Sequence, residues 1–205
     1  MKSSRLRTQG FVNHHRKLIF ITAMIGLAAY LFFVPDPWKL SETAVLAAEV
    51  IGSLLIFTGI LCRVFATITI GGHKDRTVIN TEFYSICRNP LYFASFLMAI
   101  GVGLMSGRMD FALVLTATYL AIFYPMMLNE ARFLRNKFEG FAEYEKSVPL
   151  FLPKFSLWKQ RDSFEINFKL VKRTALDAAL ALPLIPVITL IRAIIVHGHF
   201  PFLHK

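Results

Sequence analysis

Apolar residues along the chain fall into long runs at 18–34, 43–70, 91–106, 111–128 and 176–196, divided by polar connections. Spanning a bilayer takes about 20 apolar residues, within a range of about 17 to 25, and the run at 91–106 sits at the short limit. The pattern predicts an all-α fold, a polytopic integral-membrane helical bundle of about five transmembrane helices. The last run is the most irregular: Pro183 and Pro186 interrupt it and Asp177 and Arg192 stand near its ends, so a kinked, broken or re-entrant helix is expected. Ahead of it, RDSFEINFKLVKRTALD sets Phe164, Phe168 and Val171 near one face and Lys169, Lys172 and Arg173 elsewhere, as in a helix lying on a membrane surface. The first run follows a charged start but lacks a small-x-small cleavage site, and it reads as a retained first helix.

Composition agrees with this pattern. Hydrophobic residues make up 55% of the 205, and mean hydropathy is +0.53. The 23 Lys and Arg against 13 Asp and Glu give a formal charge of +10, which in a water-soluble domain would point to nucleic acid. Here most of the cations fall in 1–17, 71–90 and 129–175, the distribution of a cytoplasmic positive excess, so no nucleic-acid partner is expected. The short connections PDPWKLSE and GRMD carry few cations and belong on the other side. The expected topology has the N-terminus and the segments 71–90 and 129–175 cytoplasmic and the C-terminus outside. Cys62 and Cys87 show neither CxxC nor metal-type spacing, and no metal site is expected.

Two polar clusters flank the third and fourth runs. In SICRNPLYF, Asn89 suits a helix N-cap and Pro90 the first helical position. Arg88 then stands beside the positive end of a helix dipole, an arrangement suited to an anion. The bland alternative is a snorkelling Arg88 behind an ordinary cap. In LNEARFLRNKFEGFAEYEKSVPLFLP, Glu130 comes within one or two residues of an apolar helix end, where an acid is less expected than a base. Its bland alternative is an ion pair with Arg88, Arg132 or Arg135. A four-residue turn makes the two helices antiparallel neighbours, which brings Arg88 and Glu130 to one crevice. His73, at the end of the second run, reaches towards the same crevice or is simply solvated. Arg63, deeper in that run, either pairs internally or lines a polar cavity for a lipid head group. GVGLMSG lies within an apolar run rather than after a strand, and its small residues suit close helix packing rather than nucleotide binding.

These residues together resemble the isoprenylcysteine carboxyl methyltransferase and phospholipid methyltransferase superfamily of integral-membrane methyltransferases. Its members read G-P-Y-x-x-x-R-[HN]-P-x-Y-x-G, a membrane hairpin, then E-E and F-G-x-x-Y-x-x-Y-x-x-x-V-P. Tyr84, Arg88, Asn89, Pro90 and Tyr92 match the first motif, and Tyr144, Val148 and Pro149 the end of the last, over about residues 70 to 153. Glu82 and Phe83 replace Gly-Pro, Ala94 replaces a Gly, and the acidic pair is reduced to Glu130 between Asn129 and Ala131.

The resemblance implies an S-adenosylmethionine-dependent methyltransferase with a cytoplasmic cofactor crevice, acting on a membrane lipid or lipidated substrate such as a prenylated cysteine carboxylate. It implies Arg88 and Glu130 as catalytic, with His73, Tyr84, Arg88, Asn89, Pro90, Tyr92, Glu130 and Tyr144 binding the cofactor and aromatic cover from Tyr92, Phe138 or Tyr144. The chain is expected to form one membrane domain: N-terminal helices at 1–69, a methyltransferase-like core at 70–153, and an amphipathic helix with a final membrane helix at 154–205. The alternatives are an NAD(P)H-dependent reductase of the sterol-reductase type and a non-catalytic membrane protein.

Overall fold

The computed structural model describes residue 18 and residues 21–31, 33–71, 77–163, 166–183 and 185–190. Expectations at His73, Phe164 and Arg192 lie outside the described residues. Within them all regular structure is helical: α1 (Ile21–Leu31), α2 (Glu42–Ile70), α3 (Phe83–Ile86), α4 (Pro90–Met105), α5 (Met109–Lys137), α6 (Phe141–Ser147) and α7 (Phe168–Ala179), with a 3₁₀ turn at Phe155–Leu157.

Helices α2 and α5 each have 29 residues and are long and apolar enough to cross a membrane. At 1.5 Å per residue each reaches about 43 Å, more than the roughly 30 Å of a bilayer's hydrocarbon. Only 28% and 22% of their most apolar windows are buried within the protein, whereas a water-soluble core helix would bury most of such a stretch. Leu46, Val50, Leu54, Phe57, Leu61 and Phe65 all point outward, as lipid-facing side chains do in a membrane protein.

Helices α2 and α4 run antiparallel in close contact. A Cβ added at Gly52 would lie 2.6 Å from the Gly101 carbonyl oxygen, and one at Gly59 would lie 2.7 Å from that of Ala94. Gly103 packs equally tightly on Ala112 of α5. The small residues of GVGLMSG therefore bring backbones together, since lipid supplies no hydrophobic force between helices and close packing must hold them.

At the end of the bundle carrying both short connections, Arg108 ties α1 to the α4–α5 turn. Its guanidinium donates to the carbonyl oxygens of Leu31, Val34 and Pro35 and pairs with Asp110, which also accepts from the Tyr30 hydroxyl. The segments around 77–90 and 138–163 gather at the opposite end.

One expectation is corrected at that end. Helix α5 continues to Lys137 instead of stopping near 128, because Asn129–Lys137 is rich in helix-forming residues that need no bilayer. Glu130 thus sits within the helix rather than at its end. The last apolar run is broken over its described residues, as its prolines lead one to expect: its first residues complete α7, a turn occupies 180–183 and helix resumes at 185–190, beside Pro183 and Pro186. Helix α7 packs on α2 with Leu170, Thr174 and Ala178 turned inward, while Phe168 is 76% exposed.

Candidate functional site

A cavity of about 320 Å³ opens between α2, α4, α5 and α7 at the end bearing the polar clusters. Tyr84, Arg88, Asn89, Pro90, Tyr92, Glu130 and Tyr144 all line it, together with Arg63 and Phe138. The sequence-derived site residues within the described chain thus come together around one space. Its size falls at the lower end of the range of about 300–1,000 Å³ typical of small-molecule sites.

The floor of the site is built by main-chain bonding between distant segments. The irregular stretch after α6 crosses beneath the α3–α4 connection: Arg88 N donates to Pro149 O at 2.9 Å and Lys154 N to Ile86 O at 2.9 Å. The Cys87 thiol donates to Phe151 O at 2.9 Å, and burial pushes that thiol up to about 12, so it stays protonated as a structural donor. Farther on, Glu82 N donates to Lys159 O, Lys159 N to Ser85 Oγ, and Arg161 N to Glu82 Oε1 at 2.8 Å. Tyr144 from α6 closes the wall, its hydroxyl donating to Tyr84 O at 2.7 Å. Burial holds both tyrosine hydroxyls far above their ordinary pKa, so neither acts as a phenolate at neutral pH.

Asn89 precedes α4 but does not cap it. Its Nδ2 donates to Leu150 O at 3.0 Å instead, and the α4 N-terminus has no side-chain cap. The Asn-Pro pair therefore starts the helix through Pro90 while the amide fastens the crossing segment. The positive end of the α4 dipole is left facing the cavity through Pro90, Leu91 and Tyr92.

Arg88 is neither a snorkelling residue nor a partner of Glu130. Its Nη1 lies 2.7 Å from Glu145 Oε1, and the other oxygen of Glu145 is held by Arg135. Burial works to raise the Glu145 pKa, but the hydrogen bonds from Arg135 and Arg88 outweigh it and hold the carboxyl below the usual range. Arg88 Nε is buried with no hydrogen-bond acceptor, although buried donors are nearly always paired. Glu130 is exposed on the cavity wall and makes no ion pair among the described residues. Two apolar clusters flank the polar groups, one of Ala131, Phe141, Tyr144 and Val148, the other of Ala66, Ile79 and Tyr84.

Glu145 escaped the sequence reading because EYEKS resembles any solvated turn of helix; its one signal is the position beside Tyr144 within the matched motif. Thr67 and Thr174 also line the cavity. Only Thr67, one helical turn after Arg63, offered a hint. Among the described residues no group of three or more His, Cys, Asp or Glu is placed to hold a metal ion.

Comparison with known proteins adds to this geometry. The chain is similar to the cobalt-zinc-cadmium resistance protein CzcN of Cupriavidus metallidurans, 28% identical over 82% of this chain and 77% of the relative. It is also similar to the nickel-cobalt-cadmium resistance protein NccN of Alcaligenes xylosoxydans xylosoxydans, 25% identical over 82% of this chain and 78% of the relative. No solved structure matches. The phospholipid methyltransferase family model matches residues 47–140, which takes in most of α2, Arg88-Asn89-Pro90 and the α4–α5 hairpin but stops short of the Tyr144–Pro149 segment. Residues 47–140 of the chain are thus similar to the phospholipid methyltransferase family, part of a superfamily of integral-membrane methyltransferases.

Proposed function

We propose that the protein transfers a methyl group from S-adenosylmethionine to a lipophilic acceptor at the cytoplasmic face of a membrane, with the cofactor in the cavity at the α4 N-terminus. The observation that carries this reading is the buried, unpartnered Nε of Arg88, a residue that lines the cavity beside an uncapped helix N-terminus and together with the carboxylate of Glu130. An orphaned donor next to a helix dipole suits a carboxylate. An unpaired acid suits a cationic group, and Tyr92 and Phe138 offer rings for a flat heterocycle. The donor set therefore fits the two charged ends of an amino-acid-bearing cofactor.

When bound, S-adenosylmethionine supplies an electrophilic methyl carbon on a sulfonium. The protein's part is placement and dryness. Arg88, held by Glu145, fixes one end, Glu130 faces the cationic region, and the apolar clusters keep water from the line of transfer. The acceptor enters between helices, since lipid surrounds this end of the bundle. The N-terminus lies on the cytoplasmic side in this reading, with the basic segments. The two relatives are named for heavy-metal resistance; in this reading a change to membrane lipids is the route by which the activity would serve it.

Calorimetric titration of the detergent-purified protein with S-adenosylhomocysteine tests the reading. Wild type should bind, and Arg88→Ala and Glu130→Gln, verified as folded, should each bind at least about tenfold more weakly, as expected for loss of a charge-assisted contact. A folded wild type that binds no S-adenosylhomocysteine but does bind NADPH overturns it in favour of the reductase alternative; binding neither leaves the non-catalytic one.

A further inference from the structure

Arg63 is a second guanidinium on the cavity wall, placed farther into the bundle than Arg88. Its Nη1 donates to Ser95 Oγ at 2.6 Å and to the Leu91 carbonyl at 3.4 Å, groups in the first two turns of α4. Ser95 in turn donates to Leu91 O at 3.0 Å, and Thr67 to Arg63 O at 2.9 Å. One nitrogen is thus anchored, which fixes the plane of the guanidinium. The other nitrogens have no acceptor among the described residues, and neither is sealed from the surroundings, in contrast to Arg88 Nε. Among the described residues no carboxylate pairs with Arg63.

Charge balance in the cavity sharpens the point. Its described lining carries two guanidinium groups, Arg63 and Arg88, and one carboxylate, Glu130. In the reading above Arg88 and Glu130 are taken by the two ends of the cofactor. Arg63 is then left as a fixed cation within a span, without a counter-ion among the described residues. A charge in such a place is costly and is kept where it meets a ligand. Its depth, about one helical turn or roughly 5 Å beyond the start of α4, is that of a head group rather than of acyl chains.

We propose that Arg63, oriented by Ser95, is an anion-recognition subsite for the methyl acceptor, selecting molecules that present a phosphate to the cavity. This rests on the reading that the cavity holds both cofactor and acceptor. A planar guanidinium with free N–H groups meets a phosphate oxygen pair bidentately, whereas a lysine in its place would offer only a point charge. The anion is either the head-group phosphate of a lipid or a small free phosphate, and the two are separable by experiment.

The test compares binding of dihexanoyl phosphatidic acid, dihexanoylglycerol and inorganic phosphate to purified protein, with S-adenosylhomocysteine titrated in parallel. Wild type should bind the phosphatidic acid at least about tenfold more tightly than the uncharged glycerolipid. Arg63→Met should abolish that preference, Arg63→Lys should keep part of it and Ser95→Ala should reduce it about threefold. Lys172→Met, on the exposed side of α7, should leave it intact. Retained S-adenosylhomocysteine binding in Arg63→Met shows that the variant is folded and its cofactor site whole. Arg63-dependent binding of phosphatidic acid alone identifies a lipid acceptor, and Arg63-dependent binding of inorganic phosphate identifies a free anion; either supports the subsite. Equal affinity of wild type for the two glycerolipids without Arg63-dependent phosphate binding, or a preference that survives in Arg63→Met, overturns it. A preference that is present while wild type fails to bind S-adenosylhomocysteine sinks the methyltransferase reading and leaves the subsite standing.

Discussion

Arg88 and Glu145 meet at 2.7 Å across 57 residues of chain, and the same carboxylate is shared with Arg135. One acid therefore orients the guanidinium of Arg88, a residue that lines the cavity. Glu145 touches no part of the candidate ligand region directly and acts as a positioning residue.

Replacing Glu145 by Gln should weaken S-adenosylhomocysteine binding about threefold to tenfold while leaving the cavity intact. The pH dependence carries a sign. A carboxyl with a folded pKa below its unfolded value, near 4.3 for glutamate, adds stability that is fully present above that value and lost as pH falls through the folded one. Because Arg135 and Arg88 together lower the Glu145 pKa, the melting temperatures of wild type and Glu145→Gln should differ most above about pH 5 and converge at lower pH. A gap that stays constant from pH 6 to pH 3 would show that the ion pair does not orient or stabilise this end of the protein.

Most of the helical bundle was readable because apolar length is a property of composition alone. The run at 43–70 became Glu42–Ile70 and that at 91–106 became Pro90–Met105. The α5 extension was hidden because beyond the bilayer an amphipathic helix such as NEARFLRNK loses its apolar signature without losing its helical propensity. Arg88, Asn89, Tyr92 and Glu130 could be gathered into one crevice because a tight turn forces α4 and α5 to be neighbours. The link from Arg88 to Glu145 could not, since it depends on the crossing of residues 149–154 beneath the α3–α4 connection. That crossing is held by Arg88 N, Asn89 Nδ2 and Lys154 N. Main-chain bonds of this kind leave no periodic trace.

The α2–α4 contact predicts a contrast between two glycines. A Cβ at Gly101 would lie 2.5 Å from Gly52 O and 2.8 Å from Ile56 Cγ1, whereas one at Gly26 would meet nothing within 4 Å. Gly101→Ala forces two backbones apart and should destabilise by about 1–3 kcal/mol. Gly26→Ala should be neutral or stabilise by up to about 1 kcal/mol through helix propensity. Thermal unfolding in one detergent compares them directly, and equal melting temperatures would mean that α2 and α4 do not approach each other this closely.

Glu82 occupies the position where the resembling superfamily carries Gly, and its backbone explains that preference. With φ 52° and ψ −133° it adopts a conformation in which a Cβ is strained. The Glu side chain compensates by accepting from Arg161 N at 2.8 Å, which fastens the far end of the crossing segment. Glu82→Ala keeps the strain and removes the acceptor, so it should cost about 1–2 kcal/mol. Glu82→Gly also loses the acceptor but relieves about 1–2 kcal/mol of strain, so it should be more stable than the Ala variant and close to wild type. Chemical unfolding of the three proteins gives the order: wild type and Gly together, Ala below. An Ala variant as stable as the Gly one would show that position 82 carries no backbone strain, and a Gly variant as weak as Ala would place the whole effect in the bond to Arg161.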